Sequence, residues 1–408
     1  MAVKRPVAEL ITIGSEVLNG CVLNTNAQYL GCRLTDLGFE VRAQSACPDT
    51  IAAICASLEL AMRRADLIFL SGGLGPTPDD VTRDAAAEFF KEPLVFSKQQ
   101  FRLIRLHYRR FGSSVPEIVK REACFPKSAI PLLNHYGIAL GFCLKKHSRV
   151  LIVLPGVPSE LEKMFEGAVV PLLKREFKIR KKPSLVVRIA GLSEPEIMRR
   201  LKKDFFEEPF DFGIYPMAGE VTLRLKAERG AMLSRLRAKI KKRIGDFVYA
   251  YEDRGLAETV GGLLSKRRKT LAVAESCTGG QLASAITDVP GASRYFLGGV
   301  VAYDNGVKIR DLGVGRGLIK KRGAVSEEVA LAMARGVSQK IGSSYGIGIT
   351  GIAGPAGGGK KKPVGLVMIG LSGPRVSRTW RHEFWGRRSE VQEKAVKKAL
   401  QYLWRELR

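Results

Sequence analysis

Three hydrophobic patterns follow one another along the chain. Residues 7–14 (VAELITIG) are almost wholly apolar and predict a buried strand. Residues 27–37 predict a helix that Gly38 ends, and 39–44 a second strand. Over 51–65, Ile51, Ile54, Leu58 and Met62 recur at spacings of 3, 4 and 4, one face of a helix, before a third strand at 66–70. Strand, helix, strand, helix, strand implies a parallel α/β sheet with ligands at the strand C-terminal ends. A helix at 85–90, a strand at 150–154 and a helix at 158–177 complete a first domain, 1–177. The second pattern opens with a charged linker, 178–183 (KIRKKP). An alternating strand at 184–191, a helix at 194–203, strands at 212–216 and 220–227, and a helix at 232–244 follow. Together they predict a small α+β module, 178–252, suited to a spacer or dimerisation role. The third pattern, 253–408, is α/β again: helices at 256–266, 281–286, 327–341 and 389–407, and strands at 269–273, 296–303, 345–350, 363–371 and 376–384.

Polar or glycine-rich turns gather after three strands of this last domain, and they carry its candidate chemistry. The first is 274–280 (AESCTGG), with two hydroxyls, a thiol and two glycines between a strand and a helix. Backbone N–H groups of Thr278, Gly279 and Gly280 are candidate oxyanion donors there. Tyr303 and Lys308 follow the next strand, and Thr350 and the run 351–359 the third. This set suits amide hydrolysis. Ser276 or its neighbour Cys277 is the nucleophile; a buried, neutral Lys308 is the base, and Tyr303 relays or orients the proton. The only histidine of the region, His382, lies inside a strand, so a Ser-His-Asp triad is not expected. The loop with Gly351, Gly354, Gly357 and Gly358, together with Lys362 and Arg388, is placed to hold a phosphate.

The first domain has its own candidate loop, 71–84 (SGGLGPTPDDVTRD), beside Gly14 and Glu16. Its glycines can wrap a phosphate, Asp79 and Asp80 can hold a hard cation, and Thr82 can cap the helix or touch the ligand. It is neither a Walker A loop nor a GxGxxG loop.

Composition narrows these readings. With 408 residues, more than one domain is expected; 45% hydrophobic and 26% charged residues suit a soluble globular protein. No apolar run approaches the roughly 20 residues that span a bilayer, and the basic start, 1–6, leads straight into a strand, so a cytoplasmic protein without membrane partners is expected. Seven cysteines without a CxxC pair, and only four histidines, argue against zinc. The net charge of +27 points to anionic partners. The basic runs, 178–182, 239–243, 266–269 and 360–362, have no interleaved aromatics, so nucleic-acid binding is expected to be non-specific at most.

Residues 9–26, the run SGGLGPTPDDVTRDA and 154–160 (LPGVPSE) resemble the CinA family, the competence/damage-inducible protein A group. That resemblance implies a molybdopterin-binding-like first domain, some of whose relatives are metal-dependent ADP-ribose pyrophosphatases. By position it gives nucleotide or metal contacts to Gly14, Glu16, Asn24, Gly73, Gly75, Asp79 and Asp80, with ADP-ribose or another nucleotide as ligand. The chain departs from the family at 119–123 (VKREA, where Asn-x-Lys-Gln-Ala is usual) and at 137–141 (GIALG, where Gly-Thr-Ala-Pro-Gly is usual). The middle module resembles the family's KH-like domain but has no GxxG loop. Residues 270–372 resemble the family's C-terminal domain, a nicotinamide mononucleotide (NMN) deamidase that yields nicotinate mononucleotide and ammonia without a metal. By position the resemblance makes Ser276 the nucleophile in preference to Cys277, Lys308 the base and Tyr303 its neighbour; it also implies a homodimer. Departures here are Asp304, Ala356 and Lys361. Three readings result: NMN deamidation, pyrophosphatase action in the first domain, and a non-enzymatic role in competence or DNA damage.

Overall fold

Val7–Ile13 (β1) is buried at every position, and its neighbours explain why. It pairs in parallel with Glu40–Cys47 (β2) on one side and Leu67–Ser71 (β3) on the other. The structure, a computed structural model, describes residues 5–179 and 181–408. Residues 1–4 of the basic start, and Arg180 of the charged linker, lie outside the described residues. The chain divides into two compact units, Met1–Lys182 and Pro183–Arg408.

In the first unit the remaining strands are Leu94–Phe96 (β4), Cys124–Pro126 (β5), Ile130–Leu132 (β6), Gly141–Lys146 (β7) and Arg149–Leu154 (β8). The main sheet runs β2-β1-β3-β8-β7-β6, and β4 and β5 form a separate ribbon. The sheet is mixed, because β7 and β6 run antiparallel, where the helix–strand rhythm predicts a parallel one. The hairpin turn at 147–148, between two short strands, leaves no room for a crossover helix. Thr25–Leu37 and the run 158–176 cover one face through Leu30, Leu34, Leu161 and Phe165. Ile51–Arg64 and Thr82–Phe90 cover the other through Ile54, Leu58, Ala85 and Phe90. The run 158–176 is not one α-helix: a π turn, Phe165–Val169, separates two α segments. Pro171 lacks an N–H and its ring crowds the carbonyl four residues back; the wider turn absorbs both.

The second unit holds two sheets. Ser184–Ala190 (β9), Asp211–Met217 (β10), Glu220–Lys226 (β11) and Val248–Ala250 (β12) form an antiparallel sheet in the order β10-β11-β9-β12. β12, three residues long, carries too short a pattern to announce itself in the sequence. Leu271–Glu275 (β13), Phe296–Val301 (β14), Tyr345–Gly351 (β15), Leu366–Gly373 (β16) and Val376–Glu383 (β17) form the other, in the order β14-β13-β15-β16-β17. β13 is parallel to both its neighbours; β16 and β17 are antiparallel. The last helix, Arg388–Glu406, packs on this sheet through Val391, Ala395 and Leu403, and ties it to the other: Lys397 lies 3.0 Å from the buried Glu220 of β11. No helix among the described residues is long and apolar enough to cross a membrane.

In the six-stranded sheet β1 lies between β2 and β3, and in the five-stranded sheet β13 lies between β14 and β15, so each sheet's first strand has the next strand on one side and a later one on the other. That is the switch-point arrangement, whose crevice opens at the strand C-terminal ends. Residues 14–16 and 72–80 leave the β1/β3 crevice; residues 276–280, 302–305 and 351–357 leave the β14/β13/β15 end.

Candidate active site

Ser276 follows directly on β13, and its N–H still donates to Ile349 of β15 at 2.9 Å, so its position is set by the sheet. The chain then turns through Gly280, at φ 100°, into the helix Gln281–Thr287. Glu275, 1% exposed, holds that turn from inside: its carboxylate accepts from the N–H of Gly280 (3.1 Å), Leu282 (3.0 Å) and Ala283 (2.8 Å). A charged acceptor at a helix start satisfies N–H groups that the helix itself leaves unpaired.

This corrects the expected oxyanion hole. The N–H of Gly280 belongs to Glu275, and that of Gly279 donates to the Ser276 carbonyl at 3.2 Å. Among the described residues nothing accepts from the N–H of Cys277 or Thr278, which leaves these two as the donors beside Ser276. The Thr278 hydroxyl is buried and has no partner.

Lys308 lies on a helix, Asn305–Leu312, and not in a turn as its sequence suggested. Asp304 caps that helix by accepting from Gly306 N–H at 2.6 Å. The Lys308 side chain, 1% exposed, reaches back under the sheet end. Its Nζ meets three oxygens: the carbonyls of Ala302 at 2.7 Å and Tyr303 at 3.0 Å, and Ser276 Oγ at 3.1 Å. Burial pushes the Lys308 ammonium below its usual range, against a smaller opposite pull from Asp304 and Cys277. A neutral amine has two N–H bonds and one lone pair. With both N–H bonds donated to the fixed carbonyls, the lone pair faces the Ser276 hydroxyl.

Tyr303 contributes in a different way than expected. Its carbonyl touches Lys308, while its exposed phenol accepts from Arg388 Nη2 at 3.2 Å. Arg388 begins the last helix, and its Nη1 donates to Gly354 O at 3.0 Å, so one guanidinium holds both rims of the site. Thr350 Oγ donates to Ala324 O at 2.9 Å. A cavity of about 290 Å³ opens over these groups, lined by Ser276, Lys308, Thr350, Gly351, Gly357 and Arg388 among others. Gly354 lines it too, but Thr278, Gly279, Gly280 and Gly358 do not. Lys362 is also absent from the cavity wall: its Nζ donates to the carbonyls of Arg322 at 2.8 Å and Val325 at 2.7 Å, a tether for the glycine loop and not a phosphate contact. Cys277 is 5% exposed, and burial pushes its thiol up to about 12, so it stays protonated and is a poor nucleophile. Two residues that sequence reasoning passed over, Glu275 and Gln392, shape the turn; Gln392 Nε2 donates to Cys277 O at 2.7 Å. A glutamate closing an apolar strand before two glycines was the available signal for the first.

In the first unit, the Gly14 N–H donates to Cys47 O at 3.2 Å and Asn24 caps Thr25–Leu37 by accepting from Ala27 N–H at 3.0 Å. The carboxylate of Glu16 folds back over Gly14, where a Cβ would lie 2.5 Å from its Oε1. Thr82, fully buried, donates to Gly72 O at 2.8 Å and packs on Gly73, so it braces the loop from within. Asp80 packs on Gly75 and accepts from Thr77 N–H at 2.9 Å; Asp79 accepts from the Thr77 hydroxyl. No group of three or more His, Cys, Asp or Glu among the described residues is placed to hold a metal, and these two carboxylates are engaged by Thr77. The donor set therefore does not fit a resident metal. The departure at 119–123 places Glu122 in the interior, 1% exposed with neither carboxylate oxygen partnered. Burial raises its carboxyl to about 7, with Arg83 opposing and Asp80 and Glu160 adding to the rise.

Residues 253–407 match the family described as CinA C-terminal domain, and residues 9–175 the probable molybdopterin binding domain. A CinA-like protein of Dictyoglomus thermophilum is 41% identical over 371 residues, covering 89% of this chain and 90% of its own length. A putative competence-damage inducible protein of Moorella thermoacetica is 40% identical over 413 residues, covering 98% and 99%. Among solved structures, the CinA protein of Thermoplasma acidophilum is 30% identical, with a TM-score of 0.38, and is matched over 42% of this chain and 99% of that one. With the likeness to the Dictyoglomus and Moorella proteins spanning almost its whole length, the chain belongs to the CinA family of competence/damage-inducible proteins, with a molybdopterin-binding-like domain first and a CinA C-terminal domain last.

Proposed function

We propose that the second unit hydrolyses the carboxamide of nicotinamide mononucleotide to nicotinate mononucleotide and ammonia. The observation that carries this reading is the buried contact of Lys308 Nζ with Ser276 Oγ at 3.1 Å, with two carbonyls fixing the amine's other directions. Neutral Lys308 takes the Ser276 proton as Oγ attacks the amide carbon, and the N–H of Cys277, a residue of the cavity wall, receives the developing oxyanion. As the C–N bond breaks, the ammonium of Lys308 returns the proton to the leaving nitrogen, giving ammonia and an ester on Ser276. Water then attacks the ester with Lys308 again as base, and the acid and free Ser276 result. Arg388 supplies positive charge at the cavity rim for the substrate's phosphate.

Pure protein incubated with NMN is expected to release ammonia and nicotinate mononucleotide. Ser276→Ala abolishes release, and Cys277→Ala keeps it. Turnover in Ser276→Ala equal to that of the unaltered protein sinks the reading.

The β1/β3 crevice favours a second, separate reading: the first unit binds a nucleotide such as ADP-ribose. Calorimetric titration with ADP-ribose is expected to show binding that Asp80→Ala weakens. Release of AMP on adding a divalent metal, lost in Asp80→Ala, would mark the crevice as a pyrophosphatase site whose metal is completed by substrate phosphates.

A further inference from the structure

The helix Lys98–Arg110 carries a row of cations that neither reading uses. Lys98, Arg102, Arg105 and Arg109 follow one another at spacings of 4, 3 and 4, so they share one face, and all four are exposed, as is Arg110. No carboxylate occurs in the sequence between Glu92 and Glu117. Surface arginines elsewhere in the unit are paired, Arg33 with Glu166 and Arg149 with Asp66, both at 2.6 Å. The five cations of this helix have no ion pair among the described residues. Like charges three or four residues apart destabilise a helix. A row of them, left uncompensated, weakens the fold it sits on.

The row runs into a concavity. Arg105 and Arg109 line a cavity of about 300 Å³ with Phe101, Ser113, Ser114 and Val115. The Ser113 hydroxyl makes only a 3.4 Å contact with Phe111 O. Two guanidinium groups and two hydroxyls around one hollow supply the donors that a phosphate oxygen takes.

We infer that this face docks the phosphodiester backbone of a nucleic acid. From Lys98 to Arg109 the helix rises roughly 16 Å at 1.5 Å per residue, the axial length of about five phosphates of one strand at 3.4 Å each. An anionic membrane is the weaker fit. A helix that lies in a lipid surface buries a broad apolar side there, and most of the apolar side of this one is taken: Ile104, Phe101 and Tyr108 pack against Val119, Ala123 and Ile138, which leaves Leu106 and the flanking Phe111 exposed. The contacts are to backbone and not to bases, so the binding discriminates charge and spacing but not sequence.

The test uses the full-length protein and a fluorescein-labelled 20-base-pair DNA duplex, followed by anisotropy as salt rises from about 50 to 200 mM. Arg105→Gln/Arg109→Gln is expected to weaken binding more than tenfold at the low end and to flatten the log–log salt slope by about 2. Lys320→Gln/Lys321→Gln, two exposed cations of the helix Arg316–Arg322, should change the affinity less than twofold. Single-stranded DNA and RNA arms show which backbone the row prefers, with the same dependence on Arg105 and Arg109. Equal losses in both double variants would mean generic attraction to a basic protein and overturn the proposal. So would an unaffected Arg105→Gln/Arg109→Gln, no duplex binding at the lowest salt, or binding confined to vesicles containing phosphatidylserine. NMN turnover is expected to be unchanged in both variants, which keeps this result separate from the amidase reading.

Discussion

Ser276 and Lys308 form the pair on which the proposed amidase chemistry turns, and the lysine's surroundings make a pH prediction. Burial lowers the Lys308 ionisation, so the neutral, proton-accepting form is already populated below the pH at which a surface lysine loses its proton. The rate of NMN hydrolysis therefore falls as pH drops through that lowered ionisation and levels off above it. Ammonia release followed against pH should show one acid limb, set below the ionisation of a surface lysine, which Lys308→Met abolishes together with a factor on the order of 10²–10⁴ in kcat. In the first unit Glu122 carries a stability prediction of opposite form. Its folded-state carboxyl is raised by burial to about 7, from an ordinary value of 4.5. The unfolded chain thus loses its proton first, so stability is highest below about 4.5 and falls as pH rises to about 7. Glu122→Gln removes the buried charge. It should raise the unit's melting temperature at pH 8 by a few degrees, about 2 kcal/mol, and change little at pH 4.

The strand-to-helix turn after β13 is held by one carboxylate, and that is testable as a unit. Glu275→Gln keeps the shape but leaves one acceptor oxygen for three N–H groups. Lost charged hydrogen bonds are worth about 1.5–3 kcal/mol each. Urea unfolding should show a loss of this order, and kcat should fall with KM nearly constant, because the turn places Ser276 and not the substrate. Legibility differed by element for physical reasons. β1 and β3 are buried throughout, so their apolar runs are plain in the sequence; Leu233, Leu236, Ile240 and Ile244 marked their helix as clearly. The helix of Lys308 was missed because its eight residues bury only Lys308 and Leu312, and one of those is a cation. Cys143 was legible as a strand residue, but the antiparallel course of β7 was missed because the hairpin turn that joins it to β8, His147 and Ser148 at positive φ, carries no Gly or Asn signal. At the site, Ser276 was legible as a hydroxyl on a strand-to-helix turn. Lys308 was legible as a candidate base after the next strand; its direct contact with Ser276, 32 residues away on another element, was not, and the resemblance decided between Ser276 and Cys277. Glu275 was in full view, but its role exists only once the helix behind it turns back toward the strand.

Across the molecule, the two small sheets of the second unit are joined by the last helix. Lys397 faces Glu220, which is 4% exposed and has a second oxygen without a partner. Removing one partner of a buried pair leaves an uncompensated charge, a loss of about 3–5 kcal/mol. Lys397→Met is therefore expected to lower the melting transition of Pro183–Arg408 and to leave that of Met1–Lys182 in place, read as two separate transitions by calorimetry. Gln392 and Arg388 sit on the same helix, about one and a half and two and a half turns before Lys397, so a loosened helix should also raise the KM for NMN.

The three oxygens around Lys308 Nζ have a consequence for the path of the proton. Two of the amine's tetrahedral directions end on immobile carbonyls, and the side chain, 1% exposed, meets the cavity only along the third, beside Ser276. A hydrogen nucleus received from Ser276 has a single exit, back along the line by which it came, and the group that waits on that line after bond cleavage is the departing nitrogen. The nucleophile's own hydrogen thus leaves in the ammonia. On the amidase reading, kcat measured in mixtures of light and heavy water should therefore fall linearly with the deuterium fraction, the mark of one hydrogen in flight, where a base working through a chain of waters would bow the line.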